Sequence, residues 1–170
     1  MPPADLIALA ADVAEQLLAR GWRLATAESC TGGLIAATCT ELSGSSQWLD
    51  RGWVTYSNAA KTDLLGVDAG LIEDHGAVSE AVARAMAEGA LQRSTAEVAV
   101  AVTGIAGPTG GSPDKPVGTV WLAWAVQGSL TQALRCHFDG DRAAVRHATV
   151  AQALRGVLLG VLNTAPPRTP

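Results

Sequence analysis

Lysine is scarce in this chain, cysteine is rare, and no long apolar run is present. Of 12 basic residues only Lys61 and Lys115 are lysines; the rest are Arg. That bias fits a coding composition that uses Arg wherever either cation serves. A surviving Lys is then a candidate for a place where only an amine that can lose its proton will do, with chance retention as the plain alternative. Three cysteines, Cys30, Cys39 and Cys136, make no Cys-x-x-Cys pair. They form neither a disulfide framework nor a zinc site, and they suit a reducing cytosol. Apolar stretches are broken by Gly, Ser, Thr or charge well short of the roughly 20 residues of a membrane helix. The start, Met1-Pro2-Pro3-Ala4-Asp5, lacks the basic and then apolar segments of a signal peptide. A cytoplasmic protein is expected, with no membrane partner. Charged residues are 16% and the net charge is −4, so no overall basic field exists to hold nucleic acid, although a single cationic pocket for a phosphate remains compatible.

Apolar residues, in contrast, are plentiful, at 48% of 170 residues. That predicts one packed domain over 1–164, followed by a frayed proline-rich tail over 165–170. Leu6, Leu9, Val13 and Leu17 share one helical face in a segment 4–20, which Gly21 stops. A short strand over 23–28 leads through Ser29-Cys30-Thr31-Gly32-Gly33 into a helix over 34–42. A strand over 53–56 precedes a helix over 58–65, with Asn58 as its N-cap and Gly66 as its stop. Ser79 caps a helix over 80–93. The unbroken apolar run 98–102 reads as a strand covered on both faces. A glycine-rich loop follows, then a hairpin around Gln127-Gly128-Ser129 and a closing helix over 142–162. Early alternation of helix and strand with a late hairpin predicts an α/β class: a three-layer α/β/α sandwich on a mostly parallel, mixed sheet.

Ligands gather at the carboxyl ends of strands in such sheets, and three loops sit there. In the first, Ser29 precedes two glycines and a helix N-terminus, which suits a nucleophile with backbone amides near it, or simply a helix cap. The second holds the only Tyr, Tyr56, together with Asn58 and Lys61. Lys61 is either a desolvated neutral base for Ser29 or a solvated helix residue beside Asp63. His75, His137 and His147 lie in polar surroundings away from these loops and read as surface residues. In the third, Thr103 to Lys115, Gly104, Gly107, Gly110 and Gly111 present bare amides that suit a phosphate or an oxyanion, or form a long connector. Lys115 and Arg142 are candidates for phosphate contacts, Arg142 also reading as a surface charge at a helix start. The cysteines read as buried fillers. No step needs a metal or other cofactor. Trp48 and Trp53 flank a polar loop and are candidate anchors of a homodimer, core packing being the more ordinary fate.

The segments Thr26 to Gly33, Gly52 to Lys61, His75 to Ser79, Thr103 to Pro108, Gly110 to Ser112, Lys115 to Val120 and Gly140 to Arg142 together resemble the signature of the CinA C-terminal family of nicotinamide-mononucleotide deamidases. The resemblance is ordered and spans about 6–162. It implies hydrolysis of the carboxamide of nicotinamide mononucleotide and the family's three-layer α/β/α sandwich, here in its stand-alone form. By position it implies Ser29 as nucleophile, Lys61 as base, Tyr56 and Thr103 assisting, and Ser46 and Arg142 around the substrate. Cys30, Thr31, Gly32, Gly33, Asn58, Gly104, Gly107, Gly111 and Lys115 complete the expected substrate-binding set. A non-catalytic nucleotide-binding module is the alternative, and a nucleic-acid partner is disfavoured by the acidic balance.

Overall fold

The computed structural model describes residues 2–164, so the tail expected over 165–170 lies outside the described residues. Helix α1 (Ala4–Arg20) buries Leu6, Ala10, Val13, Ala14 and Leu17 along one stripe, and Gly21 ends it in the left-handed conformation. The chain continues through β1 (Leu24–Glu28), α2 (Leu34–Thr40), a 3-10 turn (Ser45–Gln47) and β2 (Leu49–Val54). Helices α3 (Asn58–Leu65), α4 (Ala69–His75) and α5 (Glu80–Gln92) come next. Strands β3 (Val98–Gly104), β4 (Thr119–Val126) and β5 (Gln132–His137) and helix α6 (Arg142–Leu162) complete it.

The sheet runs β2-β1-β3-β4-β5. β1 pairs in parallel with β2 and β3, whereas β4 and β5 join antiparallel, which makes the sheet mixed as expected. Side chains alternate across the central strands, and their sizes alternate too. Leu24, Val98, Val100, Val102, Leu122 and Trp124 pack under α1, α2 and α6. The opposite face presents Ala25, Ala27, Ala99, Ala101, Ala123 and Ala125 to α5 and its neighbours. Both faces are covered, which is why the run 98–102 shows no polar alternation.

Several expectations shift. β2 begins at Leu49 rather than Trp53 and ends before Tyr56. It is an edge strand, and Asp50, Arg51 and Gly52 disguise it as loop because only one side of an edge needs to be dry. β3 extends through Thr103 and Gly104, which the sequence assigned to the loop. Ser57, not Asn58, caps α3, accepting a hydrogen bond from Ala60 N. The short helix α4 was not foreseen, though Asp68 caps it through Gly70 N and Leu71 N. Trp48 is only 1% exposed and belongs to the core, whereas Trp53, on the edge strand, is partly buried against the alanine face. No helix of the described residues is long and apolar enough to cross a membrane.

Gly89 in α5 lies against the carbonyl of Leu65 at the end of α3, where a Cβ would overlap the oxygen. The close approach of these helices is what seats α3, and with it Lys61, over the sheet. Gly89→Ala adds about 1 kcal/mol of helix propensity but overpacks this contact at a cost of about 1–3 kcal/mol. A lower urea midpoint is expected; a higher one would show that α3 yields freely.

Candidate active site

β1 and β2 end level, Glu28 opposite Val54, and β3, in register at Val102, runs on two residues to Gly104. Their continuations converge on a cavity of about 210 Å³ lined by Ser29, Cys30, Tyr56, Asn58, Lys61, Ala77, Val78, Thr103, Gly104, Ala106 and Arg142. Strand alternation decides which way each side chain goes. Glu28 turns towards α2, where its carboxylate accepts from Ile35 N and Ala36 N. Ser29, one residue on, turns towards α3 and meets Lys61.

Lys61 sits one turn into α3 on the same buried face as Leu65 and is 1% exposed. Its Nζ donates to Thr55 O at 2.7 Å and lies 3.1 Å from Ser29 Oγ. Among the described residues no carboxylate forms an ion pair with it. Burial therefore acts without a compensating anion and holds the amine below the ordinary Lys pKa, favouring the neutral form. Ser29 is 9% exposed, and a neutral amine beside it has a lone pair to receive its proton. Cys30, next in the chain, is no rival nucleophile. Burial pushes its thiol up to about 11, which keeps it protonated at neutral pH.

At the mouth, Tyr56 is 59% exposed. Arg142, the first residue of α6, donates to the Tyr56 hydroxyl at 2.8 Å and to Gly107 O at 2.9 Å. Thr103 spends its hydroxyl proton on Ala77 O at 2.9 Å, tying β3 to the α4–α5 connection. A second cavity of about 470 Å³ adjoins the first, sharing Ala106 and Arg142 and adding Gly140, Asp141 and Arg146. A larger one of about 670 Å³ lies between β5 and the end of α6, away from Ser29 and Lys61.

Ser29, Lys61, Tyr56, Thr103, Cys30, Asn58, Gly104 and Arg142 are thus gathered as the sequence predicted. Others are not. Thr31 is fully buried and donates to Glu28 Oε1, so it faces away from the cavity. Gly32 and Gly33, at φ 60 and 100, turn the chain from β1 into α2 and present no side chain to the cavity. Gly107 serves through its carbonyl, Gly111 is exposed in the loop, and Lys115 donates to His75 O, which latches that loop to α4. Ser46 lies in the 3-10 turn at the amino end of β2, the full length of β1 away from Ser29. The strand direction puts it at the wrong end of the sheet. Conversely, the sequence reading missed Ala77, Val78 and Ala106 as walls, since small apolar side chains carry no chemical signal. It also missed Arg146, which donates to Thr31 O, and Glu28, whose single acidic charge at the end of an apolar strand was the available clue.

The family model of the CinA C-terminal domain matches residues 6–160. A nicotinamide-nucleotide amidohydrolase PncC of Pseudomonas putida is 55% identical over 150 residues, covering 88% of this chain and 93% of that protein. A CinA-like protein of Akkermansia muciniphila is 55% identical over 136 residues, 80% of this chain but only 33% of that protein. This chain therefore spans about a third of that longer relative. The crystal structure of the competence/damage inducible protein CihA from Agrobacterium tumefaciens superposes with a TM-score of 0.92 at 46% identity, covering 96% of this chain and 99% of that one.

Burial of Lys61 also predicts a pH effect on stability. Its amine loses a proton more readily in the folded chain than in the unfolded one. Between the lowered folded pKa and the ordinary value of 10.5 the unfolded chain binds more protons, so stability rises with pH through that window. Below the window the penalty for burying the charge is felt in full. Urea midpoints followed from neutral pH upward should rise more steeply in the wild type than in Lys61→Met; equal slopes would mean that Lys61 titrates alike in both states.

Proposed function

The chain belongs to the CinA C-terminal domain family, and we propose that it hydrolyses the carboxamide of nicotinamide mononucleotide to the carboxylate and ammonia, with Ser29 as nucleophile and Lys61 as base. The observation that carries this reading is the buried pair itself: Lys61 Nζ lies 3.1 Å from Ser29 Oγ, with no carboxylate partner among the described residues.

In the proposed sequence, neutral Lys61 takes the Ser29 proton as Oγ bonds to the amide carbon. The N–H bonded to Thr55 O keeps the amine oriented, so its lone pair faces the serine. The carbonyl oxygen becomes an oxyanion, and backbone N–H groups are the natural donors to it. Among the described residues, those of Cys30, Thr31 and Gly33 have no carbonyl acceptor. Collapse breaks the C–N bond, and the Lys61 ammonium gives its proton to the leaving nitrogen. Tyr56 is less suited to that transfer, its hydroxyl being held at the rim by Arg142. Water then attacks the acyl-enzyme, Lys61 accepts its proton, and breakage of the C–Oγ bond returns that proton to Ser29. One water is consumed, and acid and ammonia are released.

The small cavity suits the pyridine carboxamide, and the adjoining cavity suits the ribose phosphate. Arg142 borders both, and the cations Arg142 and Arg146 line the second. A guanidinium there offers a phosphate charge-assisted bonds. We place the enzyme in the cytoplasm on the same footing, since free cysteines suit a reducing compartment.

Ammonia release from nicotinamide mononucleotide by the purified protein tests the reading. Ser29→Ala is expected to lose at least about a thousandfold in kcat; a near-active variant would remove the nucleophile assignment. Lys61→Arg keeps the charge but cannot supply a neutral base, so it should be similarly inactive across neutral pH, and activity in it would place the base elsewhere. Arg142→Gln should raise KM for the mononucleotide roughly tenfold or more while leaving the riboside nearly unaffected, as one charge-assisted contact to phosphate is worth about 1.5–3 kcal/mol. Binding without turnover in the wild type would instead mark a nucleotide-binding module.

A further inference from the structure

Glu28 is fully buried, and among the described residues it pairs with no cation. An isolated carboxylate in such a place is strongly disfavoured unless hydrogen bonds replace its water. Here four donors do so. Oε1 accepts from Thr31 Oγ1 at 2.6 Å and from Ile35 N at 2.8 Å. Oε2 accepts from Ala36 N at 3.0 Å and from Thr26 Oγ1 at 3.4 Å. Ile35 and Ala36 lie in the first turn of α2, whose N-cap position is Gly33 with no side-chain cap. Those N–H groups would otherwise be orphans. The carboxylate thus stands in for the missing cap from across the loop, and it binds a residue inside the loop as well.

The consequence concerns the five residues between. The segment Ser29 to Gly33 leaves Glu28 and comes back to it through Thr31, Ile35 and Ala36. Ser29 N is further tied to Val102 O, and Arg146 holds Thr31 O. We propose that Glu28 is the positioning residue of the nucleophile loop, fixing the Ser29 side chain and the free amides of Cys30, Thr31 and Gly33 in the geometry that catalysis needs. It touches no reacting atom and acts through the loop. This inference rests on Ser29 being the nucleophile, not on the identity of the natural substrate.

The chemistry also says why an acid stands here. Each carboxylate oxygen receives a backbone N–H that cannot rotate away. Glutamine has the same shape but only one acceptor oxygen, so its NH2 would face one of those N–H groups. Glu28→Gln therefore loosens the loop without opening a cavity.

The test uses Glu28→Gln and Thr31→Val beside the wild type, with the folded fraction of each fixed by its thermal melt. Two readouts are taken on the full chain: kcat and KM for nicotinamide mononucleotide, and the rate at which the activated ester p-nitrophenyl acetate acylates Ser29, followed by intact mass. Glu28→Gln should lose roughly a hundredfold in kcat, the scale of one displaced oxyanion donor, with KM changed by no more than about twofold. Its ester acylation should slow in parallel, and Thr31→Val should fall between it and the wild type. Wild-type kcat and acylation in folded Glu28→Gln would overturn the proposal, as would losses matching only the unfolded fraction. Should Glu28→Gln not fold, Thr31→Val decides: slowed acylation in the folded protein supports the role, and an unchanged rate overturns it. An ester-reactive wild type that ignores the mononucleotide would refute the substrate reading and leave this one standing.

Discussion

Lys61 brings an amine to a place where its ammonium form is poorly tolerated, and much of the surrounding structure serves that single placement. The side chain is buried, among the described residues no acid answers it, and its hydrogen-bond partners there are a carbonyl and a serine hydroxyl. A carboxylate at that point would stabilise the charge and remove the lone pair from use. The site does carry a buried carboxylate one residue before Ser29, but the strand turns it to the other face of the sheet, where backbone amides and hydroxyls engage it. Separation of Glu28 from Lys61 by the alternation of β1 is what keeps a buried amine and a buried acid apart although they lie so near each other in the fold.

Packing on the alanine face makes this possible. Ala25, Ala27, Ala99 and Ala101 present a low surface beneath α5, and Gly89 lets the end of α3 approach α5 further. α3 is short, eight residues from Asn58 to Leu65, and takes its position from this contact rather than from its own propensity. The same approach that buries Leu65 buries Lys61 one turn earlier. The opposite face, built from Leu, Val and Trp, holds the longer helices α1 and α6 and gives the bulk of the core.

Around the mouth, two arginines, Arg142 and Arg146, stand with Asp141, although the chain as a whole is acidic. Arg142 is held by two hydrogen bonds, to Gly107 O and Tyr56, so it is already ordered where the two cavities meet. Ordering before binding lowers the conformational cost of capturing a ligand. Thr103 and Lys115 pin the connection between α4 and α5 from the other side, so three elements that are distant in the chain share one wall.

Local patterns in the sequence were enough to determine the alternation of helices and strands and the hairpin of β4 and β5, whereas the eight residues that gather at the cavity were named by those patterns only together with the family resemblance. Period and turn chemistry are short-range properties, and Ser, Lys, Tyr and Arg announce their chemistry by type. Edge strand β2, short α4 and the walls Ala77, Val78 and Ala106 were illegible, because partial exposure, brevity and plain apolar side chains leave no such mark. Ser46, expected from the resemblance, lies at the amino end of β2, and Lys115, on the loop after β3, is engaged by His75 O; neither placement leaves a mark in the local sequence. Only the tertiary structure decided which face each side chain of β1 meets. It brought Lys61 to Ser29 over a separation of 32 residues, with no acid beside it among the described residues. Desolvation depends on everything that packs around a group, and that sum exists only once the chain has folded.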